Sequence, residues 1–377
     1  MGGDGIAPVT IDDYAAPNFA PQIREAMDAA KALDDVLDYT VDGVVDQAAA
    51  ELRAHGVADP NPGREDFRPR MQLLFDSFWA EPNLSHMGRI SLHTMFVQMT
   101  RNRMLLEDLL ARHPEIRDIE IRRPIIVAGL PRTGTTHLQQ LLATDTRLRS
   151  LPYWESLEPF PMPNGAADRD GRDGRWERTH AGCEFMNAAM PYFKRMHEMD
   201  ADHVHEEIQL LAIDFSSMFY EPLAPIPAWR DDYLERDQTP HYEYLKTVLQ
   251  ALTFLRGGKR WLLKSPQHLE QFGPISRVFP DATVVVTHRD PVEVTVSMAT
   301  MAAYTGRMQM DPVDPVAVGA YWADRVQRLL NGALRDRHLL RDAQSLDVRF
   351  DDFMADTEGT LEAIYEQADL LRDPDTV

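Results

Sequence analysis

The stretch Gly129-Leu130-Pro131-Arg132-Thr133-Gly134-Thr135-Thr136 carries the residue types that hold a phosphate. Glycines let a backbone turn tightly enough to aim several N–H groups inward, and the positive end of a following helix adds to the field at an oxyanion. Thr135 and Thr136 add hydroxyl donors, and Arg132 places a cation inside the loop. The nucleotide-triphosphatase form, Gly-x-x-x-x-Gly-Lys-Ser/Thr, sets a lysine on the outer phosphates and a hydroxyl on magnesium. Here Thr135 stands in the lysine's place, so the charge is presented from a different point. A glycine turn with no ligand is the plain alternative.

Four further sites offer chemistry. His288-Arg289-Asp290-Pro291 closes an apolar run, and Ser297 follows Arg289 by eight positions. A guanidinium fork binds phosphate in a bidentate way and a hydroxyl adds one more donor; pairing of Arg289 with a nearby acid is the other use. His-Arg-Asp also opens the protein-kinase catalytic loop, but Thr295 stands where that loop needs asparagine and no Asp-Phe-Gly follows, so the kinase reading fails. Lys264, with Ser265, ends the run Arg260–Lys264, the place where α/β sheets gather their ligands. Glu155, beside Tyr153 and Trp154, has an apolar setting of the kind that raises a carboxyl pKa toward that of a useful base; a solvated loop carboxylate is the alternative. His197 to Glu207 holds enough His, Asp and Glu for a metal but lacks the His-Glu-x-x-His spacing, since Gln209 replaces the second histidine. It reads as a metal site, an acceptor-pocket wall or an acidic helix start, with His205 and Glu206 its members to test.

Pro131-Arg132-Thr133-Gly134-Thr135-Thr136 resembles the 5′-phosphosulfate loop of sulfotransferases that use 3′-phosphoadenosine-5′-phosphosulfate (PAPS), whose pattern is Pro-Lys/Arg-Ser/Thr-Gly-Thr-Thr. The resemblance spans about Arg123 to Asp369 and keeps the family's order of loop, lysine strand and arginine–serine pair. It implies that Arg132, Thr133, Gly134, Thr135 and Thr136 hold the 5′-phosphosulfate, that Arg289 and Ser297 clamp the 3′-phosphate, and that Lys264 and Arg132 meet the transferring group. His137 stands where cytosolic members carry a tryptophan against adenine. Glu155 matches the base of tyrosylprotein and some bacterial carbohydrate members. Phenol-type members use a histidine two places after the lysine, where Pro266 stands here, leaving His268 and His205 as reserve bases. The implied reaction moves a sulfuryl group from PAPS to the hydroxyl of a small-molecule acceptor with no metal. Its alternatives are a kinase or triphosphatase of the P-loop type and a non-catalytic nucleotide-binding protein. Bacterial members carry a basic, glycine-containing C-terminal segment over the cofactor, while this sequence stops at Val377, so the expectation is a shortened chain or a more open site.

The elements that must position these residues are legible in outline. Pro124–Ala128, Arg260–Lys264, Ala282–Thr287 and Leu346–Phe350 are short apolar or β-branched runs, each followed by a helical pattern. Strands alternating with helices predict an α/β fold: an open, mostly parallel sheet flanked by helices, with the phosphate loop after its first strand. Residues 1–118 read as an N-terminal helical region, a cap or a dimer surface, broken at Pro60-Asn61-Pro62-Gly63. Residues 119–377 read as the core, with a helical insertion at about 175–255 and a Gly/Asp/Arg-rich loop at Gly165–Gly174.

Composition sets the bounds. The 377 residues, 44% of them hydrophobic, can bury a sizeable core. With 39 Lys and Arg against 60 Asp and Glu the net charge is −21, which repels nucleic acids and anionic membranes. A single cysteine, Cys183, excludes an intramolecular disulfide and suits a reducing compartment. No signal-peptide pattern opens the sequence and no apolar run is long enough to span a membrane, so a cytoplasmic protein is expected.

Overall fold

The computed structural model describes residues 9–14, 16–163 and 173–371; most of the Gly165–Gly174 loop expected from the sequence lies outside them, and Gly174 itself opens a helix. Five parallel strands form the central sheet: β1 (Ile125–Gly129), β2 (Leu148–Arg149), β5 (Arg260–Lys264), β6 (Thr283–His288) and β7 (Ser345–Arg349), in the order β2-β5-β1-β6-β7. A separate antiparallel pair joins β3 (Leu151–Pro152) to β4 (Val204–His205), with Leu151 opposite His205. The four apolar runs of the sequence become β1, β5, β6 and β7. The two-residue strands β2, β3 and β4 are too short to leave a periodic signal.

Every residue of β1 is buried because each face of the sheet is covered. Ile125 and Val127 pack with Leu138 and Leu142 of the helix Thr135–Ala143 and with Phe353 and Ile364 near the C-terminus. Ile126 and Ala128 point the other way, into a larger cluster with Leu245 and Leu249 of the helix Thr239–Arg256 and Trp322 of the helix Pro315–Asp336. The alternation is that of any strand, with period two.

The same larger cluster contains the apolar stripes of the N-terminal helices α2 (Val41–Ala54), α3 (Arg68–Trp79) and α4 (His86–Arg112), through residues such as Val44, Leu52, Phe75 and Phe96, whereas α1 (Pro21–Asp34) places Ile23 in a separate cluster with Phe19 and Tyr304. Thr40 and Ser85 cap α2 and α4 by accepting from Gly43 and Gly88 N–H, each at 3.0 Å. Between α2 and α3 the chain turns at Gly63, whose φ of +75° only glycine adopts without strain.

One carboxylate ties this region to the core. Asp214 Oδ1 accepts from Arg70 of α3 at 2.7 Å and from Arg103 of α4 at 2.6 Å, and Oδ2 bonds His241 of the helix Thr239–Arg256. Burial works against the charge on Asp214, yet the His241 bond and the nearby guanidinium groups hold its carboxyl below the ordinary value. Removing one member of such a buried set strands the others in a poorly solvating interior. Asp214→Asn is therefore expected to lower unfolding stability by about 3–5 kcal/mol, read by urea denaturation; a loss of under about 1 kcal/mol, the level of a surface pair, would contradict the assignment.

Candidate active site

The carboxyl ends of β5, β1 and β6 lie side by side, and the candidate residues hang from them. β1 ends at Gly129, where an added Cβ would fall 1.9 Å from Thr287 Oγ1 of β6, so no side chain fits there. Thr133 Oγ1 donates to Leu130 O at 2.7 Å and bonds Thr287 Oγ1, also at 2.7 Å, which pins the loop to the neighbouring strand. Arg132 (φ +68°) and Gly134 (φ +81°) both take the left-handed conformation. Gly134 is the N-cap of the helix Thr135–Ala143 and supplies no side-chain cap. The first amides of that helix thus lack an intrahelical acceptor and a cap, the arrangement that suits an oxyanion.

Two guanidinium groups meet at this loop. Arg132 Nε donates to Ser297 Oγ at 3.2 Å and its Nη1 to Met196 O at 2.6 Å. Arg289 Nη1 donates to Arg132 O at 2.9 Å, its other nitrogens bond Glu293, and its plane lies 4.4 Å over the Phe350 ring. Burial and the charge of Arg289 lower the pKa of Arg132. The loop, Arg132, Arg289 and Ser297 are therefore one assembly, a concentration of positive charge on a protein of net charge −21. His137 stands exposed at its edge, with its ring 5.5 Å from Phe353.

On the other side of the loop Lys264 is almost fully buried, with Nζ 3.2 Å from Thr136 Oγ1 and in an ion pair with Glu206. The backbone N–H of Lys264 donates to Glu207 Oε2 at 2.8 Å, fixing the strand end. Glu207 was not singled out from the sequence; its place directly after Glu206 in an acidic run hid it.

Glu155 and His268, two of the candidate bases, are both buried and held by polar partners. Glu155 is fully buried with Oε2 on Arg149 at 2.6 Å and Oε1 on Arg256 at 3.2 Å. Arg256 ends the helix that leads into the amino end of β5, whereas Lys264 lies at the carboxyl end, so the structure does not bring Glu155 to the loop. His268 is buried with Nε2 on Glu207 and Nδ1 on Tyr242 Oη at 2.7 Å, leaving neither ring nitrogen for an acceptor. Ser265, read as a supporting donor, instead caps the short helical turn after β5 by accepting from Gln267 N–H.

His205 is buried beside the loop helix. Its ring sits in a cluster with His197 (6.4 Å between centroids) and His203 (6.0 Å), 4.6 Å from the Tyr153 ring. Gln139 of the loop helix bonds its carbonyl at 3.0 Å, while Nδ1 is buried without a hydrogen-bond partner. Burial, then His197, Lys264 and His203, push its pKa well below the ordinary value. His197 is pushed down to about 3 by burial and by Lys264, His203 and Arg132, and His203 is lowered by burial and by Lys264. Among the described residues no group of three or more His, Cys, Asp and Glu side chains is arranged to hold a metal ion.

A glycine loop between a central strand of a parallel sheet and a helix, with Arg132, Arg289 and a buried lysine beside it, is the α/β arrangement that gathers anionic ligands at the carboxyl ends of its strands. The comparisons with known proteins make this more specific: the sequence pattern of the Sulfotransferase family matches residues 124–374, and the chain belongs to that family. Sulfotransferase STF1 from Mycobacterium tuberculosis is similar with a TM-score of 0.79 and 29% identity over 89% of this chain and 91% of that one. Sulfotransferase STF9 from Mycobacterium avium gives 0.78 and 26% over 90% and 86%. Among curated proteins, omega-hydroxy-beta-dihydromenaquinone-9 sulfotransferase Stf3 of Mycobacterium tuberculosis and of Mycobacterium bovis is 24% identical over 262 residues, 66% of this chain and 63% of the relative, so the chain spans under two thirds of those relatives' length. Among the described residues no helix is long and apolar enough to cross a membrane.

Histidines kept neutral by the fold oppose folding once the unfolded chain can protonate. Their folded pKa values lie below the unfolded value of about 6.5, so the stability they allow is present above that pH and falls as pH drops through it. The melting temperature should decline between pH 7.5 and 5.5, and His197→Gln should flatten the decline; an unchanged slope would show that the cluster does not remain neutral.

Proposed function

We propose that the chain transfers the sulfuryl group of PAPS to a hydroxyl of a small-molecule acceptor. The observation that carries this reading is the contact of Arg289 and Ser297 with Arg132 of the phosphate loop, which sets a second phosphate-binding pair beside the first. A triphosphatase needs a lysine at Thr135 and has no use for that pair. The names of the curated relatives place their acceptor hydroxyl on a menaquinone derivative, which agrees with a hydroxyl acceptor.

PAPS supplies an activated sulfuryl group and, after transfer, leaves as 3′-phosphoadenosine 5′-phosphate. The amides from Thr133 to Thr136 would hold the 5′-phosphate, and Arg289 with Ser297 the 3′-phosphate. Lys264 and Arg132 stabilise negative charge as it builds on the bridging oxygen, the term most valuable in a dry site. Ion pairing with Glu206 and the Glu207 contact to its amide hold Lys264 in place. His205 accepts the acceptor's proton at Nδ1 as the new O–S bond forms and the bond to the bridging oxygen breaks. A neutral imidazole with a free nitrogen is the form a base requires.

The first test is thermal stabilisation by 3′,5′-adenosine bisphosphate, 5′-AMP and Mg-ATP at matched concentration and salt. The bisphosphate alone should raise the melting point strongly, and Arg289→Ala should cost about 1.5–3 kcal/mol of that binding; a shift confined to Mg-ATP would replace this reading with phosphoryl transfer. His205→Asn should leave bisphosphate binding intact while transfer falls about 100-fold or more. An unaffected rate would transfer the role to Glu206.

A further inference from the structure

The amide of Lys264 lies where the sheet has run out on one side. β5 is flanked by β1 and by β2, but β2 pairs with it only at Arg260 and Trp261. Backbone amides alternate sides along a strand, and Ser265 N–H donates to Val127 O of β1. Leu263 N–H therefore faces β1 as well, and Lys264 N–H faces the other way, past the end of β2. A buried amide without an acceptor is costly. Glu207 Oε2 supplies one at 2.8 Å, in the place a longer β2 would fill.

A glutamate side chain has three rotatable bonds, so its carboxylate holds an amide firmly only when its other oxygen is held too. His268 Nε2 donates to Glu207 Oε1, and Tyr242 Oη bonds His268 Nδ1 at 2.7 Å. Glu207, His268 and Tyr242 are all buried. Burial, then the charges of Glu207 and Glu270, raise the Tyr242 phenol far above its ordinary value, so it keeps its proton. With that O–H donating to Nδ1, the ring proton sits on Nε2 and points at the carboxylate.

Glu207 is also the last of three consecutive residues that bear on the site. Glu206 pairs with Lys264 Nζ, and His205, the base in the proposed mechanism, precedes it. Neighbouring glutamates thus hold the amide and the ammonium of one lysine, and the segment that carries His205 is tied to the strand that carries Lys264. Such spacing matters, since a misplacement of about 1 Å can cost a reaction about 100-fold. We infer that His268 is a positioning residue for transfer: backed by Tyr242, it fixes Glu207 and through it the placement of Lys264 relative to His205. The inference rests on the sulfotransferase reading for the reaction those two residues serve.

The test follows hydrogen exchange of single backbone amides by NMR on the whole chain. His268→Leu should speed exchange of the Lys264 amide at least tenfold relative to that of Leu263, because the first has lost its fixed acceptor and the second still faces β1. Tyr242→Phe removes one atom, frees the other ring tautomer and should move the ratio the same way. His268→Gln, whose side-chain amide can still donate to Glu207, should stay near the parent. A ratio equal in all four proteins overturns the inference, since a general loss of stability speeds both amides alike. The second arm adds orthovanadate, a five-coordinate mimic of the sulfur in transfer, to the complex with 3′,5′-adenosine bisphosphate. Vanadate should raise the parent's melting point further; His268→Leu should keep the rise due to the bisphosphate and lose the rise due to vanadate. A vanadate increment kept by His268→Leu, or absent from a parent that the bisphosphate stabilises, overturns the inference. A parent that the bisphosphate does not stabilise, with the exchange ratio shifted as expected, removes the sulfotransferase reading and leaves His268 as the anchor of Lys264.

Discussion

The site depends on the lateral spacing of hydrogen-bonded parallel strands. Strands pair about 4.8 Å apart, and the order β5-β1-β6 sets Lys264, the phosphate loop and Arg289 in adjacent columns at one edge of the sheet. Residues 132, 264 and 289 are far apart in the chain, yet their separation in space follows from backbone geometry before any side-chain contact forms. The close approach of Gly129 to Thr287 shows how little slack remains. Any side chain at 129 would push β1 from β6 and separate the loop from the arginine that braces it.

Charge is handled at the same place by two opposite devices. The protein carries a net −21, but at the loop it gathers Arg132, Arg289 and Lys264, the last two of which pair with Glu293 and Glu206. Beside them three histidines are held neutral by burial and by those same cations. The cationic cluster therefore has two effects: it favours anions at the loop, and it disfavours a positive charge on the neighbouring imidazoles.

The sheet and the loop were legible in the sequence because each depends on local pattern. A strand covered on both faces must be apolar throughout, and a loop that turns through Gly134 leaves its glycine in plain view. The partners of the candidate bases were not legible. Glu155 looked suitable from its aromatic neighbours, but its partner Arg256 lies 101 residues away, and nothing local announces a guanidinium arriving from another helix. His268 failed for the same reason, through Glu207 and Tyr242. His205 was visible as a residue type, yet its orphaned Nδ1 is a property of packing.

Asp214 gives the N-terminal helices a standing that their lack of catalytic residues conceals. Because Arg70, Arg103 and His241 converge on one buried carboxylate, and because α2 to α4 share a continuous core with the sheet, the helical region and the core have no seam along which to separate. Loss of that carboxylate would therefore disturb α3, α4 and the helix Thr239–Arg256 together. Substitutions that break this contact act on the population of folded molecules, and in a cell such losses of stability surface as lower abundance.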